Sequence, residues 1–268
     1  IGNTMLIFCV ISVLLGVLAL FSLKDDPMEA GQYPDNVSKE QFEKEYDTKG
    51  LAENDGGWTT VKLLKTPYLY LVALATGVCN NCTGIVVSNM VGRNVELGMT
   101  QTAAIATMSV VAVIGVFGSW AVGVIDEKLG TKKTMFGFAI WYLLGDLCNF
   151  AASYTSGTAS RMLLYVSIFM IGVGIGGSAN FTTSLPTSVF GRHGFGKVNS
   201  VLFPIQSVIM NLNFLISGFV RIITGNDLKF IFLAGGIVSL INIPLILLLK
   251  DEYKYNSDKK AEMTNKCN

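Results

Sequence analysis

The chain has 268 residues, of which 51% are hydrophobic and 15% charged, with a net charge of +1. A soluble domain carries charge on about a quarter of its residues. Here the charges crowd into a few stretches with long uncharged runs between them, which excludes a soluble globular domain, a disordered chain and a disulfide scaffold. The near-zero balance offers nothing to nucleic acid. The composition specifies an all-α integral membrane protein, because only a helix satisfies its own backbone without water.

Crossing a bilayer takes about 20 apolar residues. Seven runs qualify: 4–23, 67–90, 103–125, 134–153, 162–185, 198–220 and 230–249, none with an interior Lys or Arg. The first is too long, and lacks the basic flank, for a signal peptide. Segments 24–66, 126–133, 186–197 and 250–268 hold sixteen Lys and Arg, against Arg93, Arg161, Arg221 and Lys229 on the opposite side. That bias makes the richer side, with the C-terminus, cytoplasmic in a cell (inner or plasma) membrane. An odd number of spans with an external start, and Ile1 in place of an initiator Met, lead to the expectation that a first bundle precedes this chain.

Residues 24–66 form a hydrophilic segment with ten acidic and six basic residues. It reads as a cytoplasmic linker with a capping box at Ser38 and Gln41 before a short polar helix. Trp58 and the run 61–65 place an aromatic and two lysines where the membrane interface favours them. Pro67 suits a first helical position. The expected organisation is therefore a last helix of an absent N-terminal bundle (1–23), a linker (24–66), a six-helix bundle (67–249) and a cytoplasmic tail (250–268). The bundle divides into triplets 67–153 and 162–249 of opposite orientation, as in carriers built from inverted repeats.

Within the spans, polar side chains face protein or water rather than lipid. In 67–90, Gly77, Asn81, Gly84 and Ser88 fall at helical spacing, with Asn80 and Thr83 alongside. In 162–185, Gly172, Gly174, Gly176 and Gly177 allow close packing and bending, followed by Asn180, Thr182 and Thr183. In 198–220, Gln206, Asn213 and Ser217 share a face, Asn211 lies nearby, and Pro204 is expected to kink the helix. The substrate-facing candidates are Asn80, Asn81, Thr83, Asn180, Thr183, Gln206, Asn211 and Asn213. Each amide also has a plainer reading, a hydrogen bond between helices. Asp146 is the one carboxylate well inside a span. Desolvation favours its neutral form, as a proton carrier needs; the competing reading is a structural hydrogen bond to a neighbouring helix.

Cys9, Cys79, Cys82, Cys148 and Cys267 suggest no disulfides, and Cys79 and Cys82 lack a second pair to hold zinc. They read as small packing residues. His193 sits in a loop. No nucleophile–base pair, phosphate loop, metal cluster or cofactor motif is present, so an enzyme is not expected.

The loop 123–133 carries Gly123, Asp126, Glu127, Lys128, Gly130, Lys132 and Lys133. It resembles the G-x-x-x-[DE]-[RK]-x-G-x-[RK]-[RK] loop of the major facilitator superfamily, with Glu127 in the acidic position. In that family the loop joins the second and third helices of each six-helix half, and here it lies at that place in the second half. From the residues alone, the loop reads equally as a charge latch that breaks when the protein changes state and as a basic loop that sets topology. The resemblance favours the latch. Residues 58–68 and 190–197 are similar to the oxalate/formate antiporter-like and monocarboxylate branch.

The resemblance implies helix six and the C-terminal bundle of a secondary transporter that works by alternating access. Its expected partners are the lipid bilayer, a missing N-terminal half, a small organic solute such as a monocarboxylate, and a proton or counter-anion. Spans 67–90, 162–185 and 198–220 would surround the solute path, and 134–153 would be peripheral. Without an interior cation, a dicarboxylate such as oxalate finds no partner in this half. The alternative is a complete seven-helix receptor or sensor.

Overall fold

The computed structural model describes residues 2–22, 31, 58–191 and 194–250, with side chains from residue 7 onward. The chain divides into two compact units, Ile1–Asn54 and Asp55–Asn268. In the first, α1 spans Gly2–Ser22 and carries exposed apolar side chains such as Ile7, Leu14, Leu18 and Phe21. The capping box at Ser38, as well as His193 and Cys267, lies outside the described residues.

The second unit opens with a single helical turn, α2 (Thr60–Leu64), capped by Thr59, whose hydroxyl accepts from Lys62 N at 3.3 Å. Six long helices follow: α3 (Pro67–Glu96), α4 (Gln101–Leu129), α5 (Thr131–Ala151), α6 (Gly157–Phe190), α7 (Phe195–Thr224) and α8 (Lys229–Leu248). All six are long and apolar enough to cross a membrane, and the described residues contain no strand. Pro67 opens α3 as expected. Pro204 lies inside an uninterrupted α7.

Four of the helices, α3, α4, α6 and α7, overrun the apolar runs that announce them, most clearly α6, while α3 continues to Glu96. Hydropathy marks where lipid contact ends, whereas the helix ends where its backbone does. Between α4 and α5 that point is Gly130, at φ +84°, a conformation only glycine adopts freely. Its N–H donates to Asp126 O at 2.9 Å and its carbonyl accepts from Thr134 N at 3.1 Å, so one residue closes one helix and opens the next.

The packing is carried onto itself when the two triplets are exchanged (α3 with α6, α4 with α7, α5 with α8). The close pair α4–α6 maps onto α7–α3, α5–α6 maps onto α8–α3, and α5–α8 maps onto itself. Burial follows the same rule. The apolar window is 56% buried in both α3 and α6, 44% and 39% in α5 and α8, and 22% and 11% in α4 and α7. The centre of the unit is therefore α3 and α6, and the faces left open are on α4 and α7.

Two expectations change. Trp58 is buried in protein instead of resting at the membrane interface: its ring meets Phe190 edge-on at 5.4 Å and Lys62 Nζ lies 4.9 Å above it. Arg93, placed outside the spans by sequence, is buried within α3, where Asn149 and Ser153 provide enough acceptors to hold a guanidinium inside.

Candidate solute pathway and latch

The polar residues of the spans fall into three seams. Along α3 and α7, Asn81 donates through Nδ2 to the carbonyls of Ile209 (2.9 Å) and Met210 (3.1 Å). Gln206 donates to the Thr76 hydroxyl, and Asn213 packs on Gly84, where a Cβ would overlap its amide. Asn81, Gln206 and Asn213 are all buried, and each leaves its amide oxygen without a partner among the described residues. Asn211 is exposed and donates to Ser207 O of its own helix.

A second seam joins α3 to α5 and α6. Asn80, half-buried, donates to Thr182 Oγ1 at 3.2 Å and to Thr76 O at 2.9 Å. The Tyr142 hydroxyl donates to Thr83 Oγ1 at 2.9 Å. This brings Asn80 against α6 and Thr83 against α5.

The third seam repeats the first on the other helix pair. Asn180 of α6 donates through Nδ2 to Ser119 O of α4 at 2.7 Å and accepts from the Ser119 hydroxyl at 2.9 Å. In both seams a glycine four residues earlier makes the approach possible. Gly77 sits against Ile209, the residue whose carbonyl Asn81 takes, and Gly176 sits against Gly115 O and Ser119 N. The Gly-x-x-x-Asn spacing puts both residues on one helical face. The sequence shows Gly77 and Asn81 at helical spacing, but not that Gly176 and Asn180 repeat the pair, because four residues are too few to register as a repeat without the packing that pairs them.

The four glycines of α6 divide between neighbours. Gly172 and Gly176 face α4, through Ile114 and Gly115, while Gly174 and Gly177 lie under the rings of Tyr142 and Phe138 of α5. None of the four has room for a methyl group without displacement.

At the Gly130 end, an open groove of about 770 Å³ runs along α4 and α6, lined by Ser119, Trp120, Gly123, Asp126, Glu127, Asn180, Thr183 and Ser184. Three of the latch residues, Gly123, Asp126 and Glu127, thus share a groove with two candidate solute residues, Asn180 and Thr183. Asp126 buries one carboxylate oxygen that has no partner among the described residues, as does the Ser184 hydroxyl, whereas Glu127 is exposed. Lys128 and Lys133 are exposed and Lys132 is half-buried on the first turn of α5.

The opposite end holds two arginines that the seven-span reading put in loops. Arg93 donates to Asn149 Oδ1 at 2.8 Å and pairs with Glu96 at 3.3 Å, while Arg221 donates to Asn89 Oδ1 at 2.7 Å and Asn226 Oδ1 at 3.0 Å. Between α7 and α8, Asp227 pairs with Lys229 at 2.8 Å. Slight burial would raise the Asp227 carboxyl, but the hydrogen bonds and charge of Lys229 outweigh it and hold the group below its ordinary range. Among the described residues no group of His, Cys, Asp or Glu is placed to hold a metal ion.

No curated protein matches the chain. The family model described as Major Facilitator Superfamily matches residues 2–212. That match takes in α1 to α6 and most of the seam between α3 and α7. The chain belongs to the Major Facilitator Superfamily of membrane transporters.

Proposed function

We propose that this chain is one lobe of a secondary active transporter that moves a small organic solute, a monocarboxylate or similar, by alternating access. The lobe rocks against a second bundle, and a proton or counter-anion drives it. The observation that carries the reading is the exchange symmetry of the packing. It leaves α4 and α7 as the least covered related pair of the six long helices, 22% and 11% buried, as expected of a lobe with a mate. The groove on the α4 side supports the same picture, since a face meant only for lipid has no use for the Asp126, Glu127 and Asn180 side chains that line it.

In this reading Asn80, Thr83, Asn180, Thr183 and Asn211 present polar groups to the solute path. Asn81, Gln206 and Asn213 keep α3 and α7 together and serve the path from behind. Gly172, Gly174, Gly176 and Gly177 let α6 slide as the gating helix. Gly123, Asp126, Glu127, Lys128, Gly130, Lys132 and Lys133 form the latch, with the loop and the C-terminus on the cytoplasmic side of the cell membrane. The likeness to the oxalate/formate and monocarboxylate branch favours a single carboxylate as solute. The buried guanidinium of Arg93 is already taken by Asn149, Ser153 and Glu96, which leaves a second carboxylate unpaired.

The test is uptake of labelled formate and oxalate into vesicles from cells that express the natural full-length protein. Formate uptake exceeding oxalate uptake, and loss of it in Glu127→Ala at equal membrane abundance, is the expected result. Uptake of neither solute refutes the substrate class, and wild-type rates in the variant refute the latch.

A further inference from the structure

Asp146 of α5 has no place in the seams above. It is fully buried, and neither carboxylate oxygen has a hydrogen-bond partner among the described residues. The hydrogen bond to a neighbouring helix that its sequence position invites is not made. The backbone of α8 comes so close that a Cβ on Gly235 would stand 2.8 Å from Oδ2 and 3.2 Å from Val86 Cγ2, so glycine alone leaves space for the carboxyl. A carboxylate ion without partner or water is costly to bury, because nothing replaces its lost hydration. A neutral acid costs far less, and its proton is then part of the fold.

A route to that proton is also on hand. Tyr142 lies one helical turn from Asp146 on the same face of α5, and its hydroxyl donates to Thr83 Oγ1, which is half-buried on the central seam. We propose that Asp146 is a reversible proton-binding site, reached from the Thr83 side through the hydroxyl of Tyr142. When α8 parts from α5, water can stabilise the carboxylate. No hydrogen bond joins Asp146 to Tyr142 among the described residues, so the admitted water takes the Asp146 proton and hands one to the Tyr142 oxygen, which gives its own proton to Thr83 and on to water, leaving an Asp146 anion and an unchanged tyrosine. Assigning this proton to solute coupling rests on the carrier reading above; its binding does not.

The groups facing Asp146 are few. Cys82 comes from α3, with its thiol against the Ser239 hydroxyl and Cys79 beside it, and Tyr142 comes from α5 itself. Gly235, Gly236 and Ser239 come from α8, and Met170 of α6 covers Gly145. Arg93 lies a turn further along, on Asn149 and Ser153. No cation among the described residues faces the carboxyl, so a proton is the charge that balances it.

Infrared spectroscopy of the purified chain reads the site directly. At neutral pH the wild type is expected to show a carboxylic-acid C=O band that shifts when aspartate carboxyls carry carbon-13, is lost in Asp146→Asn, and disappears reversibly as pH rises. Deuterium exchange of that band is expected to slow in Tyr142→Phe. If Asp146→Asn fails to fold, the isotope shift in wild type identifies the aspartate, with Asp126→Asn and Asp227→Asn expected to keep the band. A wild-type spectrum without the band, or a band that persists at every pH at which the helices remain folded, overturns the proposal, and unchanged exchange in Tyr142→Phe overturns the route. A band that titrates in a protein that moves no solute keeps the site and fails the carrier.

Discussion

Gly176 is the position where a single methyl group should cost most. Its Cβ would overlap the carbonyl oxygen of Gly115 and the amide nitrogen of Ser119. Both are backbone atoms of α4, so no side-chain rotation relieves the clash and the two helices must separate. Overpacking of a tight contact costs about 1–3 kcal/mol. Separation also strains the Asn180–Ser119 pair, two hydrogen bonds at 2.7 and 2.9 Å, each worth about 0.6 kcal/mol and at most about 1.7 in a membrane. The expected loss for Gly176→Ala is therefore about 2–4 kcal/mol, or roughly 4–16 °C in thermal midpoint for a chain of this size. The control is Gly137→Ala on α5, where nothing lies within 4 Å of the added carbon. There alanine should be neutral or stabilising by up to about 1 kcal/mol, since glycine is a poor helix former. Both variants are measured by thermal unfolding in detergent, followed through tryptophan fluorescence. Equal midpoints for the two would refute the claim that backbone contact between α4 and α6 is what fixes glycine at 176.

The paired seams make a matched prediction: Asn81→Ala and Asn180→Ala should each lower stability by about 1–2 kcal/mol. They share no partner, so the double variant should show the sum within about 0.5 kcal/mol; a clear departure in the measured midpoints would show that the seams act as one. At the other end, the Asp227 carboxyl is held down by Lys229 in the folded state. Its contribution should be complete above the ordinary carboxylate range and fade as pH falls through the depressed folded value. Thermal midpoints recorded against pH should therefore show a small acid-side loss in the wild type that is absent in Asp227→Asn, small because solvent screens the pair.

The number and centres of the six bundle helices were legible, because lipid demands long uncharged runs and little else in a chain produces them. Their ends were not. Arg93 and Glu96 look like loop residues until Asn149 and Ser153, far away in sequence, supply the acceptors that let the helix continue inward. The same limit applies to the amides. Spacing showed that Gln206, Asn213 and Ser217 share a face of α7, and all three are indeed buried together. Spacing cannot name the helix opposite, so it did not tell that Asn81 ties α3 to α7 while Asn80 turns to α6. The dense glycines of α6 announced close packing correctly, whereas Asp146 announced a hydrogen bond that no described residue makes. In the loop, the sequence pattern pointed to Glu127, and the side chain with a buried oxygen in the groove is Asp126.

The one-residue junction at Gly130 has a mechanical consequence. A connector so short has no slack, so α4 cannot travel along its own axis without dragging the start of α5 with it. Motion between those two helices is confined to swinging about an elbow, and a spacer of even a few residues inserted there would let them move independently.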